Sequence, residues 1–215
     1  IRGVGILIRS KLAHTIISRK HDNDCNMLLL HVNFEGKEII LGSLYGPNTN
    51  EERFFYNLNN HLQNLPCQIK ILGGDMNLTL DPSNVNVNLD VLNMANIPSL
   101  FRSEKMIEIK NRFNLVDPYR SLHPNRREYT FLPSAQNLQN RSRIDFFLVN
   151  VESIPFVRNC TIPHSLLSTH FDHKMISLSF KKVKNPKNYP IKNNILLEVE
   201  VNWQVKASVI ETYIQ

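Results

Sequence analysis

Three segments of this chain place an acidic residue at the end of an apolar run. Each carries a group that could work on a phosphate. The first is Ile71-Leu72-Gly73-Gly74-Asp75-Met76-Asn77. Residues two apart in an extended chain share a face, so Asp75 and Asn77 are expected to look into one pocket, with Met76 turned into the core. The two glycines are read as letting the backbone approach a ligand closely. The second segment is Ser142-Arg143-Ile144-Asp145-Phe146-Phe147-Leu148-Val149. Its carboxylate opens a strand so apolar that the charge must be paired or hydrogen-bonded. The third is Thr169-His170-Phe171-Asp172-His173-Lys174-Met175-Ile176, a His beside an Asp just before a strand. Singly, each reads better as a strand end or a polar turn. Together they hold acids to take a proton from water, an amide to orient it, and a His–carboxylate pair to face a pentavalent phosphate. Phosphodiester cleavage needs that set. Oxygen ligands without thiolates suit magnesium or manganese, which help neutralise the transition state.

The elements that must position these residues are mostly strands. Apolar and β-branched runs predict strands over 4–8, 28–32, 38–45, 68–72, 129–132, 144–149, 157–162 and 175–180. Glu35-Gly36 reads as a hairpin turn. Asn50 is expected to cap a helix whose apolar face is Phe54, Phe55, Leu58, Leu62 and Leu65, ended by Pro66. A second helix is predicted over 103–113. The Asn-rich stretch 81–96 reads as a loop and a candidate functional insertion. Hairpins and intervening helices predict an α/β (α+β) domain of two sheets packed face to face with helices outside. A basic linker begins near residue 181. A domain of 1–183 is therefore expected, followed by a linker, 184–215, of which 195–215 is expected to be helical in part.

Composition narrows the partners. The 215 residues suit one domain with a tail. A net charge of +6 fits a polyanionic partner, although an ordinary excess of Lys explains it equally well. Three widely spaced cysteines with no CxxC pair argue against a zinc knuckle or a disulfide framework, and for a reducing compartment. No apolar run approaches the ~18 residues of a membrane span, and no signal peptide is expected. No organic cofactor is expected, and the oligomeric state is not legible.

The ordered stretches Gly3-Val4-Gly5-Ile6-Leu7-Ile8, Leu44-Tyr45-Gly46-Pro47-Asn48, Gly73-Gly74-Asp75-Met76-Asn77, Tyr129-Thr130-Phe131, Ser142-Arg143-Ile144-Asp145 and Asp172-His173 resemble the endonuclease/exonuclease/phosphatase superfamily. More narrowly, they resemble the AP-endonuclease-like domain of non-LTR (LINE-type) retrotransposons. The resemblance covers about residues 1–180. It implies a four-layered αββα sandwich of the DNase I type, with DNA as substrate and the nucleus as compartment. It implies that Asp75 activates water or protonates the leaving oxygen and that Asn77 orients the water. Tyr45 would contact the scissile phosphate. Asp145 would fix the His173 tautomer while His173 contacts the phosphate, and Asp172 would help hold the metal. Thr130 would contact the DNA backbone. Beside this, Arg126, Arg127, Arg141 and Arg143 flank the Thr130 and Asp145 segments, a position that favours phosphate contact over the ordinary reading of a solvated charge run.

The family carries a metal-ligating Glu, with an Asn before it, on strands preceding Gly3-Val4-Gly5. This chain starts after them, so an incomplete metal site and an inactive or very weak fragment are expected. Phe171 stands where the family usually has Ser. Asn202-Trp203-Gln204 is similar to the segment leading toward a reverse transcriptase. The alternatives are a phosphatase or sphingomyelinase of the same fold, and a degenerate remnant that binds nucleic acid without cutting it.

Overall fold

The computed structural model describes residues 3–34, 36–65, 67, 69–80, 89–93, 99–133, 140–163, 172–181, 197–205 and 207–214, the last two spans by backbone alone. Pro66, Phe171, most of the 81–96 stretch and residues 182–196, with the boundary expected near Val183, lie outside these residues.

Two sheets form. The larger runs in the order β2 (His14–His21), β3 (Met27–Phe34), β4 (Lys37–Tyr45), β5 (Lys70–Asp75), β7 (Asp145–Asn150) and β6 (Leu115–Val116). Its pairs are antiparallel except β4 with β5. The smaller runs β1 (Val4–Ile8), β11 (Ala207–Ile214), β10 (Leu197–Val205), β9 (Ile176–Phe180) and β8 (Val157–Thr161), with β1 parallel to β11. The helix expected within 195–215 is therefore a correction: strands form there. The β2 strand escaped prediction because its sequence, His14-Thr15-Ile16-Ile17-Ser18-Arg19-Lys20-His21, is polar on both faces. That composition suits an exposed edge strand.

Alternation sorts the core into two layers. Leu29, Ile40, Leu72, Phe146 and Leu148 face α1 (Glu52–Gln63) and α2 (Leu100–Arg112). Their chain neighbours Leu30, Leu41, Ile71, Phe147 and Val149 face the smaller sheet, meeting Val157, Cys160, Ile176 and Leu178. Strands buried on both faces have to read as continuous apolar runs, as β5 and β7 do. The α1 helix buries Phe54, Phe55, Leu58 and Leu62 as the spacing predicts. Its N-cap is Glu51, not Asn50, whose side chain instead accepts a hydrogen bond from Ser99 Oγ. A short α3 (Pro118–Leu122) begins with Asp117 accepting from Arg120 N and with proline in its first turn, a favourable start. Tyr129–Leu132, expected as a strand, contributes only isolated bridges at Phe131. The architecture is a sandwich of two mainly antiparallel sheets packed face to face, as expected. Among the described residues, its long helices cover the outer face of the larger sheet, and no helix is long and apolar enough to cross a membrane.

Candidate active site

Three adjacent strands of the larger sheet end on a single row. Tyr45 stands opposite Asp75, and Asp75 opposite Asp145. Cross-strand partners project to the same face. Parity sets which face: Leu41, Ile71 and Phe147 lie an even number of residues away and belong to the core between the sheets. The row thus emerges at the rim of that core. Two glycines hold the strands close enough for this register. A Cβ on Gly74, where φ is +153°, would sit 1.8 Å from Leu44 O, and one on Gly46 would sit 2.0 Å from Met76 O. The role expected for Gly74, approach to a ligand, is thereby corrected to approach of β4.

Beyond Asp75 the chain turns. Met76 is fully buried, as expected. Asn77 is not extended; it takes a left-handed conformation (φ +51°), which Asn tolerates well. The turn lets Asn77 N donate to Asp75 Oδ1 at 2.9 Å, while Nδ2 donates to Gly46 O at 2.8 Å. Asp75 and Asn77 are brought together by this turn rather than by strand alternation.

His173 arrives from the loop before β9. Phe131 bridges both Ser142 and His173, and Lys174 N donates to Thr130 O at 2.7 Å. Nδ1 of His173 donates to Asp145 Oδ2 at 2.9 Å, and Nε2 lies 3.9 Å from Asp75 Oδ2. The Phe131 ring packs 5.1 Å from the imidazole. Burial disfavours the charged imidazole, but Asp145, its hydrogen bond and Asp75 outweigh that and raise the His173 pKa to about 9. Burial and the like charge of Asp145 push the Asp75 carboxyl up to about 7, against the opposing pull of His173 and the Asn77 amide. A carboxyl poised near neutrality beside an imidazolium suits proton transfer at neutral pH.

The residues present fit a divalent cation. Ligand atoms of Asp75, Asp145 and His173 lie within 4.8 Å of one another. Asp145 Oδ1 is buried with no hydrogen-bond partner among the described residues, an anionic oxygen that would gain from a cation. Asp172, the expected ligand, is exposed and outside this group, though its charge acts on both Asp75 and His173.

Two expected DNA contacts are corrected. Thr130 is fully buried, and its Oγ1 accepts from the backbone N–H groups of Ile144 (3.2 Å) and Asp145 (3.1 Å), so it shapes the start of β7. Arg143 is 2% exposed and bound to Asp90 and Asp117, out of reach of a phosphate. Arg126 and Arg127 are exposed, Arg126 pairing with Glu128 at 2.6 Å, and Arg141 is half-buried. Tyr45 is half-buried at the head of the row. Sequence reasoning missed Asp90, Asp117 and Arg102, whose Nη1 donates to Pro47 O at 2.5 Å and braces the turn after Tyr45. Nothing local in the sequence marks Asp90 or Arg102, which act through distant partners, whereas Asp117-Pro118 reads locally only as a helix start.

No protein-family model matches the sequence. Over 205 residues, 92% of the chain, it is 27% identical to the transposon TX1 uncharacterized 149 kDa protein of Xenopus laevis, and it spans 15% of that relative's length. The 3'-5' exonuclease NExo from Neisseria meningitidis superposes with a TM-score of 0.59 at 16% identity, covering 80% of this chain and 71% of the exonuclease. The AP endonuclease LMAP from Leishmania major gives 0.55 at 19% identity, covering 71% and 54%. The fold is that of the AP endonucleases. A transposon relative along the sequence, with an AP endonuclease and an exonuclease sharing the fold, upholds the resemblance to a LINE-type AP-endonuclease-like domain.

Proposed function

We propose that this AP-endonuclease-like domain hydrolyses DNA phosphodiester bonds with a divalent metal ion, nicking chromosomal target sites in the nucleus for a LINE-type element. The observation that carries the reading is the row Tyr45–Asp75–Asp145 faced by His173. It gathers a proton-transfer carboxyl, a cationic imidazole and a phenol at one rim. Asp75 takes the proton of the attacking water or returns one to the leaving oxygen, and Asn77 holds that water in line. His173, kept cationic by Asp145, stabilises charge growing on the phosphate. Magnesium or manganese, held by the carboxylates of Asp75, Asp145 and the nearby Asp172, would supply charge neutralisation and a more acidic water. Exposed Arg126 and Arg127, with half-buried Arg141, serve as phosphate contacts whose contribution weakens with salt.

The test is conversion of supercoiled plasmid to open circles with magnesium, using this chain and a chain extended by upstream residues. Nicking that disappears with EDTA and in Asp75→Asn and His173→Ala supports the reading. Nicking unaffected by both substitutions, or absent from both wild-type chains, sinks it.

A further inference from the structure

Arg143 stands two residues before Asp145, and its partners organise more than its own burial. Nε and Nη2 donate to the two oxygens of Asp90 at 2.7 and 2.8 Å, and Nη2 lies 2.7 Å from Asp117 Oδ2. Arg120 reaches Asp90 from the other side and donates through Nη1 to the carbonyls of His123 and Arg126. Two guanidinium groups meet two carboxylates, so the bridge is neutral. The backbone beside it is engaged as well: Arg143 N donates to Asp90 O at 2.8 Å and Leu92 N to Arg141 O at 2.9 Å. Bridges then run in series from Val91 to Ser142, from Ser142 to Phe131 and from Phe131 to His173. Four strips of chain therefore lie side by side. The bridge locks the first strip to the second, the second continues into Asp145, and the fourth presents the imidazole.

We propose that the Asp90–Arg143–Asp117 bridge is a positioning device for the Asp145–His173 pair. A buried ion pair is a poor choice for stability alone, since apolar residues of similar volume do as well or better. What a forked guanidinium supplies is orientation, because its donors fix two carboxylates at set angles. Orientation matters here, since a displacement of about 1 Å costs a catalytic group on the order of 100-fold in rate. The rate effect rests on the phosphodiesterase reading; the effect on the ladder does not.

The experiment compares wild type with Asp90→Asn and Arg143→Lys, well below each melting temperature. It reads amide hydrogen exchange and nicking per folded molecule; Arg143→Lys, which keeps the charge, serves if Asp90→Asn does not fold. The expected result is a loss of protection at Leu92, Arg143 and Lys174 roughly 10-fold or more beyond any loss at α1 amides. The catalytic constant should fall about 10- to 100-fold with KM within about twofold. Wild-type protection at Lys174 overturns the proposal, as does an equal loss across α1, which would make the bridge a general stabiliser. An unchanged catalytic constant in an active protein overturns it too. A wild-type chain that does not nick counts against the phosphodiesterase reading alone, and exchange at Lys174 then decides the positioning role.

Discussion

Two groups of buried charge meet where the chain enters β7, and they differ in balance. Around Arg143, two cations and two acids close on one another, and the guanidinium is 2% exposed. Around Asp145, two acids share one imidazole, one carboxylate oxygen has no hydrogen-bond partner among the described residues, and Asp75 is pushed up to about 7. Residue types hardly distinguish the groups; neutrality does. A balanced cluster sealed from water holds structure, whereas an acidic excess at a rim is strain that a cation or a phosphate-bound metal relieves.

The comparison breaks most visibly at the imidazole. His173→Ala should lower nicking by about 100- to 10,000-fold with the fold intact by circular dichroism; a loss under threefold would mean that the acidic group is ornamental. Next comes the sealed cluster. Arg143→Met takes from buried Asp117 its ion-pair partner, leaves Asp90 with Arg120 alone, and should cost about 3–5 kcal/mol in urea unfolding. Asp75→Asn should do the opposite in metal-free buffer, raising Tm by roughly 2–4 °C for each kcal/mol of repulsion removed. Destabilisation by both would erase the distinction.

Proton linkage sharpens it further. The Asp75 pKa is raised from 3.8 to about 7, so its contribution to stability is full below pH 3.8 and is lost as pH rises through about 7. The His173 pKa is raised from 6.5 to about 9, so its contribution is full below 6.5 and lost through about 9. Asp90 runs the other way. Burial raises its pKa, but the Arg143 and Arg120 guanidiniums outweigh burial and hold it below the usual carboxylate range, so its contribution is lost only in acid. Metal-free protein should therefore lose stability steadily between about pH 4 and 9, and Asp75→Asn should flatten the lower part of that slope.

Smaller effects follow. Thr130→Val removes the acceptor for two buried N–H groups and should cost about 1–3 kcal/mol. Arg126→Ala, on the surface, should change stability by less than about 0.5 kcal/mol while reducing the salt slope of DNA binding by about one.

Much of the fold was readable before any coordinates. The apolar runs of β3, β4, β5, β7 and β9 announced themselves, as did the amphipathic face of α1. The edge strand β2 and the strands within 197–214 did not, because a segment polar on both faces and segments of modest apolarity fit several states. Within the site, Asp75, Asp145 and His173 were singled out by their place at strand ends, while Thr130 and Arg143 were assigned to DNA. Charge and hydroxyl groups in a motif look alike whether they face solvent or core.

The sequence by itself determined where most of the core strands lie, and that acids, an amide and an imidazole stand near their ends, because period-two apolarity and breaker residues act locally. Only the tertiary structure decided that Tyr45, Asp75 and Asp145 share one row and that His173 faces it, because strand register is a property of pairs of segments far apart in the chain. It also decided which charges were spent. Arg143 and Asp145 are separated by a single residue, and the partners brought to each from distant loops closed one cluster and left the other with an excess of acid.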